Sequence, residues 1–354
     1  MKKPKKLRSS KAGLPPGSLV HIGEIKTSAA AFSLIDFDAS GFVEGPLPDS
    51  KAFAATPRQF KMRWANVYGA HKPEDLAEIG KTFGLHPLVQ EDILNNVQRQ
   101  KLDAYENCLY LVLHHYELNG KGLDLSQDQI SLVIGRDFIL TVQERQSRTF
   151  EPVRQRLRNE QTSLRKGGID TLAYSLIDAV VDSYFSVIEQ LDDRAEALET
   201  DILTNARPAT LEAIHQLKRT VSQLRRNLQP LREMLGLLHR GSGEFFRPEV
   251  ALYLRDVYDH SVHILESLED LREQASGLLD VYLTTVSHRV NLEVRTLAVV
   301  ATIFMPATLI AGIFGMNFRE MPWLTLSNGY LYALGLMAAI ALYMLILFWR
   351  RRLV

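Results

Sequence analysis

The chain has one cysteine, Cys108, among 354 residues. That excludes a disulfide framework and suits a reducing cytoplasm for the large N-terminal part. Catalytic signatures are missing as well. No Gly-rich loop runs into Lys-Ser or Lys-Thr, and no nucleophile elbow occurs, so neither an enzyme nor an ATP-driven pump has a visible engine. The N-terminal stretch MKKPKKLRSSKAGLPPGS has six Lys or Arg, no acid and no apolar run after it. It does not read as a secretory leader. Residues 1–16 read as a disordered basic tail, either simply solvated or drawn to anionic lipid heads. The sharpest absence is charge. No Asp, Glu, Lys or Arg stands from Thr296 to Phe318, and none from Met321 to Trp349.

Overall composition hides this asymmetry, with a net charge of zero and 46% hydrophobic residues. A membrane-spanning helix needs ~20 apolar residues, and both uncharged runs supply them. Transmembrane helices are therefore expected at about 295–316 and at 330–349, joined by an extracytoplasmic loop over 319–329. Arg289 and Arg295 precede the first span, and Arg350, Arg351 and Arg352 open the basic tail 350–354 after the second. The loop carries one Arg and one Glu. Positive charge stays inside, so both termini are expected in the cytoplasm and the loop outside an inner cell membrane. Trp323 and Tyr330 are placed like outer interfacial anchors and Trp349 like an inner one.

Upstream, residues 17–168 mix strand and helix signals, as an α/β or α+β domain does. SLVHIGE and AAFSLIDFD are β-rich, and EDLAEIGKTFGLHPLVQEDIL has helical spacing. Gln129–Glu144 reads as two strands turning at Gly135–Arg136–Asp137. From Ile169 the pattern is helical, and Pro208 divides residues 169–247 into an antiparallel hairpin. Acids gather near its turn (Glu189, Asp192, Asp193, Glu196, Glu199, Asp201), as a solvated face or as a collar that attracts cations. A third helix opens at Pro248 and continues to 318, through the first span. Ile264, Leu268, Leu271, Ala275, Leu278 and Tyr282 follow heptad steps. Such a stripe needs cover from the hairpin or from copies of the chain, which points to an oligomer.

One helical row in the first span runs from Asn291 through Val294, Leu297, Ala301, Met305, Thr308 and Gly312. If it lines a pore, its side-chain oxygens are a hydroxyl and amides, with no carboxylate. A small divalent cation surrenders water reluctantly and would need hard, charged oxygens to do so. The ion is therefore expected to pass hydrated, with Asn317 at the outer end accepting hydrogen bonds from its water. Asn317 equally suits a helix C-cap. The apolar belt Val294, Leu297, Ala301 and Met305 reads as a dewetting gate or as ordinary helix packing. Asp256, His260 and His263 share a helix face that either holds a metal or is solvated. His114 and His115 are neighbours on a strand and point to opposite faces, which argues against shared ligation.

The chain resembles the CorA-type divalent cation transporter family. The likeness is carried by ATIFMPATLIAGIFGMNF, with Gly315–Met316–Asn317 at the family's Gly-Met-Asn signature, and by FGLHPLVQEDILN, QRQKLDAYENCLYLVL, RDVYDHSVHILE and SGLLDVYLTTVSHRVN. It implies a funnel-shaped homopentamer with an α/β cytoplasmic domain and long helices, whose first spans line a pore for Mg²⁺, with Co²⁺ and Ni²⁺ as further cargo. It also implies a regulatory divalent ion held between subunits by Asp92 and Asp256, with Asp280 as a further acidic position near the membrane. Cytoplasmic Mg²⁺ would bridge these like charges and hold the pentamer closed. The partners expected are copies of the chain, the bilayer and divalent cations, with no nucleic acid. Phe314 stands where the family usually has tyrosine, and Trp323 where it usually has an acid, which leaves Glu320 as the loop's one acidic metal candidate. The zinc-transporting relatives usually carry a glycine pair in this loop; FREMP has none, which favours the magnesium branch.

Overall fold

A computed structural model describes residues 13–120, 123–241, 245–316 and 328–351. Asn317, Glu320, Trp323, residues 352–354 and residues 1–12 of the N-terminal basic tail lie outside the described residues. Strands β1 (Ala31–Asp38), β2 (Gly41–Leu47), β3 (Met62–Tyr68), β4 (Lys101–Ala104), β5 (Leu109–Asn119), β6 (Asp124–Ile134) and β7 (Phe138–Gln143) form one sheet in the order β2-β1-β3-β7-β6-β5-β4. The helices are α1 (Ala52–Ala55), α2 (Pro73–Phe83), α3 (Pro87–Ile93), α4 (Glu151–Arg158), α5 (Ser163–Lys166), α6 (Ile169–Asn205), α7 (Pro208–Gly241), α8 (Pro248–Phe314) and α9 (Gly329–Arg350). The chain divides into two compact units, Met1–Glu199 with Glu212–Gly277, and Thr200–Leu211 with Leu278–Val354.

In the first unit, β3 and β7 run parallel and the remaining neighbours antiparallel. The expected hairpin is there, with Ile134 opposite Ile139 and Gly135 N donating to Phe138 O at 2.9 Å. Strand alternation sends side chains to two covered faces. Ala65 and Val67 of β3 join Leu76, Ile79, Val89 and Ile93 of α2 and α3 in one core cluster. On the other face Trp64 meets Phe150 edge-on at 6.1 Å, and Tyr116 lies 5.8 Å from Tyr184 of α6. The helical stretch after residue 73 is two helices, because Gly84 closes α2 in the left-handed region (φ 63°) and Pro87 opens α3. SLVHIGE is not a strand. Only Ile22 pairs, in a single parallel bridge to Asn95, and Gly23 turns the backbone away at φ 140°.

The long helices are placed by paired contacts. Asp170 meets Arg247 at 2.8 Å, Tyr174 meets Tyr253 at 5.3 Å and Phe185 meets His260 at 5.8 Å, so α6 runs parallel to α8. His239 approaches Ala251 O at 3.3 Å and Arg225 pairs with Glu269 at 2.6 Å, so α7 runs antiparallel to α8. α6 and α7 are thus an antiparallel hairpin. All six heptad residues, Ile264 to Tyr282, are buried within one chain. Burial of this stripe therefore needs no second copy, and it carries no argument for an oligomer.

In the second unit, α8 continues unbroken through Pro306 to Phe314. From Leu283 onward, only Val299, Gly329 and Ala333 are buried among the described residues. By length and composition α6, α8 and α9 all qualify as membrane spans. In α6 half of the apolar window is buried in the protein's own core, whereas none of the window in α8 or α9 is. The uncovered pair, α8 and α9, are the helices whose apolar surface asks for a bilayer.

Candidate ion pathway and metal centre

The second unit presents the row foreseen in the first span. Asn291, Val294, Leu297, Ala301, Met305, Thr308 and Gly312 are all exposed in the single chain. Leu297 and Met305 are 70% and 69% accessible, although both are fully apolar. Ala301, Met305, Thr308 and Gly312 line one groove of about 540 Å³ with Phe304 and Leu309. Gly312 leaves that groove open, since a Cβ there would meet nothing within 4 Å. Thr308 Oγ1 donates to Phe304 O at 2.9 Å. Its proton is thereby committed, and its lone pairs remain to accept hydrogen bonds from outside. Pro306 has no N–H, which leaves the Thr302 carbonyl without its helical donor one turn earlier. The row therefore offers acceptors and no anions, a wall suited to a cation that keeps its water.

α8 ends where the signature begins. Gly315 N donates to Ala311 O at 2.9 Å and Met316 N to Ile313 O at 3.2 Å, a tightened last turn. Gly315 and Met316 are exposed just past it. Asn317 and Glu320 lie outside the described residues.

The first unit contains an acidic cluster that straddles α6 and α8. Ligand atoms of Asp178, Asp182 and His260 all lie within 4.8 Å of one another. His260 Nδ1 is 3.7 Å from Asp182, and its Nε2 is 3.8 Å from Asp256 one turn away. Neither contact is a hydrogen bond, and Nδ1 is buried without a partner. Burial, and then the Asp182 charge, push the Asp178 carboxyl up to about 6, with His260 acting in the opposite sense. Crowded carboxylates with an unpaired imidazole nitrogen suit a divalent cation. Sequence spacing had grouped Asp256 and His260 with His263. The structure instead packs the His263 ring 6.0 Å from Phe185, and brings in Asp178 and Asp182, which no local spacing flagged.

Asp92, near the end of α3, accepts from Lys101 Nζ at 2.7 Å and from the Gln98 amide. It is not grouped with Asp256 in one chain. Asp280 is exposed on α8, where its backbone carbonyl accepts from Thr284 Oγ1 at 2.8 Å.

The family described as "CorA-like Mg2+ transporter protein" matches residues 60–352. The chain is 39% identical to the cobalt/magnesium transport protein CorA of Thermotoga maritima over 97% of its own length and 98% of that protein's. It is 22% identical to the zinc transport protein ZntB of Yersinia enterocolitica, over 86% of its own length and 90% of that protein's. Its fold superposes on the complete structure of the CorA magnesium transporter from Methanocaldococcus jannaschii with a TM-score of 0.74, at 21% identity, covering 92% of this chain and 98% of that one.

Proposed function

Since this chain belongs to the CorA family of divalent cation transporters, we propose that it conducts Mg²⁺, and with it Co²⁺ and Ni²⁺, through a pore formed by the first spans of a homopentamer. One observation carries the reading. The core stripe of α8 stops at Tyr282, and the helix then presents an uncharged row from Asn291 to Gly312 that its own chain leaves open. Copies arranged around an axis would enclose that row as a wall of hydroxyl and carbonyl acceptors. Gly315, Met316 and Asn317 form the outer rim in this reading, where amide oxygens meet the water of a hydrated ion. Inward movement of a divalent charge gains roughly 4.6 kcal/mol per 100 mV, so the potential alone drives uptake.

Control belongs to the cytoplasmic acids. Asp92 and Asp256 bind the regulatory Mg²⁺ between neighbouring subunits, Asp178 and Asp182 add to that negative charge while His260 offers a ligand nitrogen, and Asp280 lies closer to the membrane. When Mg²⁺ is scarce the carboxylates repel, subunits part, and the belt of Val294, Leu297, Ala301 and Met305 wets.

Flux into liposomes, followed with a Mg²⁺-sensitive dye, tests the pore. Asn317→Ala is expected to abolish or severely reduce Mg²⁺ entry, and unchanged flux would remove Asn317 from the pathway. Competition by Zn²⁺, Co²⁺ and Ni²⁺ in the same vesicles separates magnesium uptake from zinc transport, the activity named for the Yersinia relative. Subunit crosslinking with and without Mg²⁺ in Asp256→Ala tests the control, and an undiminished Mg²⁺ response would exclude that aspartate.

A further inference from the structure

The segment before β1 is held to the loop after α3. Ile22 N donates to Leu94 O at 2.9 Å and Asn96 N to Ile22 O at 2.8 Å. This places His21 beside His71, with ring centroids 6.5 Å apart and planes at 74°. Both ring nitrogens of His21 are buried with no hydrogen-bond partner. A buried polar group left unpaired is costly and asks for an occupant. His71 is already set for one. Its Nδ1 lies 2.7 Å from Gly69 O; a carbonyl only accepts, so the proton sits on Nδ1 and Nε2 keeps its lone pair. That is the usual second-shell arrangement of a metal-bound imidazole. Gly69 makes the turn possible, at φ 69°, and a Cβ there would sit 2.0 Å from Thr27 Oγ1.

Between these groups is a cavity of about 20 Å³, lined by His21, His71, Glu24, Asn96, Gln129 and Ser131 among others. One water-sized occupant needs ~10–15 Å³. Gln129 is 2% exposed and its Oε1 has no partner either. Lys26 reaches the same cavity, but Asp128 and Glu144 each hold its Nζ at 2.7 Å and offset its charge.

We propose that His21 and His71 form a binding site for a transition-metal dication of the Co²⁺, Ni²⁺ and Zn²⁺ class, with oxygens of the cavity and water completing its shell. Imidazole nitrogen favours these ions, whereas Mg²⁺ selects hard oxygens. Metal–nitrogen bonds of ~2.0–2.1 Å put two ligating rings roughly 5–6 Å apart, so the pair closes by about 1 Å on binding. The site does not depend on the proposed pore: a chain that conducted nothing would still bind.

The test uses the full chain in detergent, stripped of metal, in a His260→Gln background that removes the acidic cluster's imidazole. Zn-edge X-ray absorption at one equivalent of Zn²⁺ is expected to report two imidazoles, and a shell of oxygens alone would overturn the site. Co²⁺ titration by its visible ligand-field bands then locates it. Adding His21→Gln or His71→Gln, in protein that keeps its far-UV circular dichroism, is expected to weaken Co²⁺ binding at least tenfold, while excess Mg²⁺ leaves the bands in place. Unchanged Co²⁺ affinity in both variants would mean that the cavity holds only water, and would overturn the proposal.

Discussion

α8 is one helix with two fates. From Ile264 to Tyr282 its apolar stripe is buried by the chain itself, and from Asn291 to Gly312 a row of the same helical period is exposed. Periodicity is alike in both halves; what differs is the neighbour. α6 and α7 flank the upper part of the helix in the first unit, while the described residues beyond Leu283 are almost all uncovered. Amphipathic spacing reports that a face can be buried, and it is silent on whether a hairpin, a lipid or another copy does the burying.

The largest expected contrast tests that division directly. Leu268 is fully buried and Leu297 is 70% exposed. Leu268→Ala is expected to cost about 2–5 kcal/mol of unfolding stability, the usual range for a core leucine. Leu297→Ala is expected to cost less than ~0.5 kcal/mol and to raise resting ion leak, because a smaller, less apolar ring dewets less readily. Urea unfolding in detergent, followed by circular dichroism, measures the first pair of values and dye-loaded liposomes the second. A core-sized loss for Leu297→Ala would show that the lower half is packed as tightly as the upper.

A second, smaller effect is expected from the acids on the covered half. Asp178 titrates at about 6 in the fold against an ordinary 3.8. The folded state therefore holds this proton more tightly than the unfolded chain does. Its contribution to stability is complete below about pH 4 and is lost as pH rises through about 6. A divalent ion at the cluster competes with that proton, so binding should tighten over the same interval. Asp178→Asn is expected to flatten the melting temperature between pH 4 and 7 and to weaken cation-induced stabilisation. Asp170, two turns earlier, has the opposite sign. Burial raises its pKa, but hydrogen bonds from Arg247 outweigh that and hold it low, so its stability is present at neutral pH and lost on acidification. If Asp178→Asn and Asp170→Asn shift the profile in the same direction, the Asp178 cluster is not crowded in the way described.

These two acids also mark where sequence reading ran out. The heptad of Ile264–Tyr282, the hairpin at Gly135 and the uncharged helical runs are local patterns, and each is found in the fold, whereas the break at Gly84 and Pro87 divides a stretch whose spacing read as helical throughout. The Asp178–Asp182–His260 grouping depends on how α6 registers against α8, which is set by contacts such as Tyr174 with Tyr253 and Asp170 with Arg247. No spacing within either helix encodes that register. SLVHIGE failed for a related reason. Its β-rich residues find one bridge partner, Asn95, and propensity yields to the available pairing. The row from Asn291 to Gly312 was legible as a helical face, and its openness was not, because exposure depends on every other element.

The smallest effect probes the chemistry of the open half. Thr308 spends its proton on Phe304 O and keeps its lone pairs. Thr308→Val preserves shape, deletes those acceptors, and removes only the local bond to Phe304 O within its own helix, so the melting temperature should hardly change. If hydrated Mg²⁺ passes this point, its water loses one acceptor per subunit, and conduction should fall roughly three- to tenfold, about 0.7–1.4 kcal/mol on the barrier. Thr308→Ser, which restores the oxygen, should recover most of it. Equal flux in all three chains would place Thr308 away from the water-filled path, and the groove of Ala301, Met305 and Gly312 beside it would then face lipid or a packed neighbour.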